Sequence, residues 1–155
     1  MKNILETVKY PSKILQTPCA PVTDEWLLNK SAVQRFKNRA GLIMKREKGL
    51  AIAAPQVGIR ARVFLVDGPS FDLDVPLLVV ANPEITYQSP ETIVDEEECL
   101  SIPGFVAEIE RPKEVEITYS PPGRSGVKVV WHSSSPLMAR MFCHEIDHLD
   151  GKLIR

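Results

Sequence analysis

Proline placement constrains this 155-residue chain more than any other feature. Thirteen prolines are scattered through it, yet none falls between Pro21 and Pro55 and none follows Pro136. A proline inside a helix removes a backbone donor and clashes with the preceding turn, at about 3 kcal/mol or more. Long helices are therefore confined to those two windows. In the first, Val33, Phe36, Ala40 and Ile43 recur at three- and four-residue steps. That stripe predicts an amphipathic helix from about Ser31 to Arg46, stopped at Lys48-Gly49 with the glycine past its end. In the second window Ser135 can cap a helix and Pro136 suits its first position. This helix should run to Leu149, with Gly151 just beyond it.

Between the two windows the chain reads as strands. Arg62–Val66, Leu77–Ala81, Ile85–Tyr87, Glu114–Tyr119 and Val127–Trp131 are rich in β-branched residues. Turn residues separate them, among them Asp67-Gly68-Pro69, Asn82-Pro83 and Pro121-Pro122-Gly123. A long helix, then strands, then a closing helix is an α+β order rather than a βαβ alternation. No repeat, low-complexity tract or linker interrupts it, so residues 1–155 are expected to form one domain.

Composition narrows the class. Hydrophobic residues make up 44% and charged residues 25%, and 19 Lys+Arg against 20 Asp+Glu give a net charge of −1. A protein that binds nucleic acid by neutralising phosphates should be clearly basic, so no direct nucleic-acid partner is expected. No apolar run approaches the ~20 residues of a membrane span, and the opening MKNILETVKYPS lacks the apolar core of a secretory signal. Three cysteines, Cys19, Cys99 and Cys143, are too few for a disulfide scaffold. That favours a reducing compartment and raises the chance that one is a ligand or nucleophile.

The closing helix contains His144-Glu145-Ile146-Asp147-His148. Histidines four residues apart lie one turn apart on one face, so both imidazoles can reach one cation. Glu145 sits about 100° round the helix from His144, where it can reach a water beside that cation and act as a base. The bland alternative is a pair of surface histidines, but only three histidines occur in the chain and two form this pair. A catalytic site of this kind needs a third protein ligand. Seven residues follow His148, so the third ligand must come from upstream. Cys143 points about 100° away from the histidine face and suits a small buried hydrophobe. Cys19, in an extended Pro-flanked segment, reads as buried and inert, and His132 as a residue at the helix entry. Cys99 lies after Glu96-Glu97-Glu98 on a strand end. A thiolate beside carboxylates is unfavourable unless a cation is near, which makes Cys99 the favoured third ligand. A further stretch, Gly49–Gly58, is small and apolar with one polar side chain, Gln56. It fits either a tight connection or a wall that lets a substrate backbone approach.

Three segments, GLAIAAPQ (Gly49–Gln56), EECLS (Glu97–Ser101) and HEIDH (His144–His148), together resemble the motifs of the peptide deformylase family in order and spacing. The family patterns are G-x-G-L-A-A-x-Q, E-G-C-L-S and H-E-x-D-H. The opening Tyr10-Pro11-Ser12-Lys13-Ile14-Leu15 extends the likeness over nearly the whole chain. The resemblance implies a fold of antiparallel or mixed β-sheets packed around the C-terminal helix, with an N-terminal helix beside them. It implies Cys99, His144 and His148 as metal ligands and Glu145 as the general acid/base. Gln56 and the backbone N–H of Leu100 would stabilise the oxyanion, while Leu50, Ala51, Glu97 and Glu98 would line the substrate. Glu97 would also orient a ligand or a substrate amide.

The implied reaction is hydrolysis of the formyl group from the N-terminal methionine of new polypeptides, releasing formate. The implied cofactor is one divalent ion, Fe(II) in this family, with zinc, nickel or cobalt able to take its place; the ligand types alone point to zinc. N-formyl-methionyl nascent chains are the implied partners, in the bacterial or phage-infected cytoplasm or in an organelle lumen after loss of a transit peptide. Many bacterial relatives continue beyond the point where Gly151–Arg155 ends, into a segment that helps dock on the ribosome. The resemblance leaves ribosome proximity open, and docking through such a tail is not expected. A metallopeptidase acting on unblocked peptides and a non-catalytic metal- or peptide-binding relative are the competing readings. The first lacks an evident anchor for a free terminus, and the second has no need of Glu145.

Four residues depart from the family pattern. Ala51 and Glu98 stand at motif glycines, Cys143 at a frequent glutamine, and Arg140 at a position on the ligand face that is usually apolar. Glu98 and Arg140 are expected to pair across the mouth of the site, with independent contact to solvent as the alternative.

Overall fold

Both proline-free windows hold helices in the computed structural model, which describes residues 6–155. The opening stretch judged free of a secretory core thus begins with residues 1–5, which lie outside this description. The first window splits in two. A short α1 (Asp24–Leu28) opens with Thr23 Oγ1 accepting the Trp26 N–H at 3.2 Å, and α2 spans Lys30–Arg46, capped by Asn29 Oδ1 on the Ala32 N–H at 3.0 Å. At its far end the left-handed residue is Lys48 (φ 57), not the expected Gly49. The glycine is needed for space instead, since a methyl on Gly49 would come within 2.8 Å of the Leu100 side chain.

Seven strands follow: β1 (Ala51–Ala53), β2 (Val63–Asp67), β3 (Leu77–Gln88), β4 (Thr92–Cys99), β5 (Ile102–Pro112), β6 (Val115–Ser120) and β7 (Val129–His132). Five pair in the order β1-β2-β3-β6-β7, and β4 and β5 form a separate two-stranded sheet. Every pairing among the described strands is antiparallel. Three differences from the sequence reading stand out. Asn82-Pro83 does not divide two strands but sits inside β3, where Asn82 (φ 49) takes a bulge. Its side chain accepts the Val22 N–H at 2.8 Å and donates to the Val22 carbonyl at 2.9 Å, so the bulge is held by outside partners. The stretch around Ala51 is a strand rather than a plain connection, and β4 with β5 makes a long hairpin of which only the end near Cys99 was foreseen.

Alternation along the strands sorts the core into two layers. Ile52, Val63, Leu65 and Val79 face Phe36, Ala40, Ile43 and Met44 of α2. Ala53, Phe64, Val66, Val80 and Ile117 face the other way, onto Met138, Phe142, Ile146 and Leu149 of the last helix, α3 (Pro136–Leu149). Val63–Val66 is apolar without a break because both faces of β2 are covered. Helix α3 begins as predicted, with Ser135 Oγ accepting the Met138 N–H at 3.1 Å and Pro136 in the first turn. It ends before Gly151, whose φ of 75 and whose approach to Gln16 leave no room for a side chain: a methyl there would lie 2.9 Å from the Gln16 carbonyl. From Met138 to Leu149 no residue of α3 is exposed. One face lies on the five-stranded sheet and the other meets the β4–β5 hairpin.

The extended segment before Pro11 ties these parts together. The Val8 N–H donates to the Gln56 carbonyl at 2.7 Å, and the Tyr10 N–H donates to the Ser101 carbonyl at 3.0 Å. Thus the loop after β1 and the turn after β4 are held in one register.

Candidate metal centre and active-site cleft

The topology brings one cysteine and two histidines to the same point. Cys99 ends β4, and His144 and His148 occupy successive turns of α3 on the side facing the hairpin. Cys99 Sγ lies 3.4 Å from His148 Nε2, which lies 3.2 Å from His144 Nε2. One donor atom from each residue falls within 4.8 Å of the others, so the three form a group able to hold a metal ion. The donor set itself tests the fit. Glu97 Oε1 accepts from His144 Nδ1 at 2.9 Å, which turns Nε2 toward the sulfur and the second ring. Burial works against a charge on His144, yet its bonds to Cys99 and Glu97 bring its pKa up to about 10. Burial and the charge on His144 push His148 the opposite way. A sulfur and two imidazole nitrogens converging at this spacing are a donor set that suits a divalent transition-metal ion.

Beside this group opens a cleft of about 650 Å³, floored by Cys99, His144 and Glu145 and walled by Leu50, Phe105 and Leu137. Glu145 is buried on the floor, and its Oε2 has no hydrogen-bond partner among the described residues. Burial pushes its carboxyl up to about 7, with His144 opposing and Glu97 adding to the rise. An acid poised near neutrality can both take and return a proton. Gln56, 2% exposed, is oriented by its own backbone surroundings. Its Oε1 accepts the Ala53 N–H at 2.9 Å, which turns Nε2 toward Ser101 Oγ (3.2 Å) and Cys99 Sγ (3.7 Å). Leu100 follows Cys99 at the turn, where its carbonyl accepts from Thr7 Oγ1 at 3.1 Å and Lys9 Nζ at 3.0 Å. Leu50 stands at the rim and Ala51 inside β1, both along the cleft.

The acidic run separates as a strand must. Glu97 faces α3 with 4% of its side chain exposed, and Glu98, across from Val106, points away from α3 at the exposed margin of the cleft. The expected Glu98–Arg140 pair is therefore not formed. Arg140 Nη1 donates to Glu97 Oε2 at 2.7 Å instead. Arg111 also binds Glu97, through Nε at 2.8 Å and Nη2 at 3.0 Å, and reaches Asp147 Oδ2 through Nη1 at 2.7 Å. Burial opposes ionisation of Glu97, but the bonds from His144 and Arg111 hold its carboxyl well below the usual range. Sequence reasoning missed Arg111, which carries no motif; Asp147, inside HEIDH, was the available signal that a buried cation lay opposite.

The other candidates lie elsewhere. Cys143 is buried against the core, where burial pushes its thiol up to about 11. Cys19 is buried and its thiol is likewise raised by burial. His132 sits at the end of β7 rather than at the helix entry, stacked on Tyr87 at 6.2 Å. Asp150 pairs with Arg62 at 2.7 Å.

The polypeptide deformylase family model matches residues 4–155. A peptide deformylase of Bartonella tribocorum is 38% identical over 148 residues, which is 94% of this chain and 79% of the relative. Among solved structures, the peptide deformylase of Thermotoga maritima superposes with a TM-score of 0.81 at 34% identity, covering 96% of this chain and 92% of that one. A class I type b peptide deformylase of Acinetobacter baumannii, with Met-Ala-Ser bound, does so at 0.81 and 32% identity, over 99% and 98% of the two chains. With the family model spanning residues 4–155 and relatives above 30% identical over nearly the whole chain, the chain belongs to the peptide deformylase family.

Proposed function

We propose that this chain, acting as one catalytic domain, removes the formyl group from the N-terminal methionine of newly made polypeptides and releases formate. One observation carries the reading: a buried carboxyl at Glu145, whose Oε2 lacks a hydrogen-bond partner among the described residues, stands beside three converging donors on the floor of an open cleft. The Acinetobacter neighbour was solved with Met-Ala-Ser, the peptide left when formyl-Met-Ala-Ser loses its formyl group. Cys99, His144 and His148 would hold one divalent ion. When bound, that ion supplies a Lewis acid that polarises a carbonyl and lowers the pKa of a water.

The protein's own groups do the remaining work. Glu145 takes a proton from the attacking water and hands it to the departing amine, so that one water is consumed and one amine and one formate are formed. The Gln56 amide N–H and the Leu100 backbone N–H donate to the carbonyl oxygen as charge develops there. Glu97 keeps His144 in the tautomer that offers Nε2. Leu50, Ala51, Glu97 and Glu98 line the path of the peptide. For the resident ion we assign Fe(II), on the strength of the family resemblance; the donors alone would also accept zinc, nickel or cobalt. Formylated chains are made on ribosomes of the bacterial cytoplasm or of organelles, and we place the reaction there.

The test is formate release from formyl-Met-Ala-Ser under anaerobic, iron-loaded conditions. The wild type should release formate, and Glu145→Gln should lower kcat about 10²–10⁴-fold at unchanged metal content. A wild type with confirmed metal and no formate would overturn the reading.

A further inference from the structure

Arg140 is buried one turn before His144 on α3, with 8% of the residue exposed. Its guanidinium makes three hydrogen bonds, all to the hairpin. Nη1 donates to Glu97 Oε2 at 2.7 Å and to the Ile109 carbonyl at 2.8 Å, and Nη2 donates to the Ile93 carbonyl at 2.7 Å. Ile93 belongs to β4 and Ile109 to β5, so one side chain grips both strands and the carboxylate that orients His144.

This grip falls where the centre is weakest by construction. The sulfur donor is carried by a two-stranded sheet and the two imidazoles by a helix. A lone hairpin has little stability of its own, and a small slide of the hairpin along α3 would change every sulfur–nitrogen distance. A planar guanidinium fixes direction as well as distance, which an ammonium or an apolar side chain does not. Arg111 alone could still bind Glu97 after rotation about that pair. The second guanidinium, on Oε2, blocks the rotation and keeps Oε1 on His144.

We propose that Arg140 is a positioning residue of the metal centre. It locks the hairpin that supplies Cys99 to the helix that supplies His144 and His148, and it acts on the ion chiefly through Glu97 rather than on the substrate. The inference rests on the metal-centre reading above.

Cobalt(II) is the probe, because its d–d bands report ligand geometry and its charge-transfer band reports the thiolate. Wild type, Arg140→Met, Arg140→Lys, Glu97→Gln and the Glu97→Gln/Arg140→Met double variant are loaded, and cobalt loss to excess chelator is timed. Arg140→Met and Arg140→Lys should each lose cobalt about tenfold faster than wild type, with shifted d–d bands. KM for formyl-Met-Ala-Ser should stay within about twofold. In the Glu97→Gln background Arg140→Met should add less than about threefold, as expected of groups acting in series. Should Arg140→Met fail to fold, Arg140→Lys carries the test in both backgrounds. Wild-type release rates and spectra in the Arg140 variants overturn the inference, as does an undiminished acceleration in the Glu97→Gln background. A wild type that takes up no cobalt overturns the metal-centre reading itself, which separates that failure from this one.

Discussion

Replacing Glu97 with glutamine keeps the shape of the side chain and removes its charge. In the native protein its two oxygens accept from Arg111, Arg140 and His144 at 2.7–3.0 Å, with 4% of the side chain exposed. After substitution Arg111 still has Asp147, but Arg140 retains only two backbone carbonyls. The new amide also turns a donor toward groups that are donors themselves. Removing one member of a buried ion pair costs about 3–5 kcal/mol. Because Asp147 still compensates one arginine, about 3 kcal/mol is expected, or roughly 6–12 °C in Tm for a chain of this size. Urea unfolding near pH 7 with chelator present measures the loss without a contribution from the ion. A pH series adds a sign. The Glu97 carboxyl titrates well below its ordinary 4.5 in the folded state, so its stabilisation is complete above that value. It is lost as the pH falls toward the folded pKa, because the unfolded chain takes up the proton first. The gap between wild type and Glu97→Gln should therefore close progressively below about pH 4. A difference under about 1 kcal/mol at neutral pH, or one that is as wide near pH 3 as near pH 7, would refute the assignment of Glu97 as the charged hub.

Other substitutions probe separate parts of the molecule. Gln56→Leu removes a donor aimed into the cleft and should lower kcat about 10²–10³-fold with little change in KM, read from steady-state formate release. Cys99→Ser should lower bound metal measured by elemental analysis, while Cys143→Ser, altering a residue packed in the core, should leave it unchanged. Gly151→Ala forces a methyl to within 2.9 Å of the Gln16 carbonyl at a φ of 75, and should cost about 1–3 kcal/mol in chemical unfolding at unchanged metal content.

What the sequence made legible follows from which signals are local. Ser135, Pro136 and Gly151 mark α3 because capping, first-turn proline and a left-handed exit each act within a few residues. His144 and His148 share a face for the same reason, and Cys99 stood out as the thiol that follows a run of carboxylates at a strand end. The hairpin was obscure because its outer face carries Val94, Glu96, Glu98, Glu108 and Glu110, a mixture that mimics a charged loop. Asn82-Pro83 looked like a break, since the Val22 contacts that hold the bulge come from sixty residues away. The choice of Glu98 over Glu97 as the partner of Arg140 missed one inference that was open. If Cys99 turns inward to meet the histidines, strand alternation turns Glu97 inward with it and Glu98 out. Arg111 had no local mark at all, for its partners become neighbours only when the hairpin closes on α3.

Helix α3 has no side free for drift. Twelve consecutive positions, from Met138 to Leu149, are buried or half-buried, so a change of size or charge at any of them is felt by its neighbours. Evolution of new selectivity in such a scaffold should thus concentrate at its margins, at Leu50, Glu98, Phe105 and Leu137, where a side chain can be exchanged without disturbing the catalytic floor. An inhibitor that presses on the helix should meet little tolerated resistance, whereas one that leans on those four should select for escape.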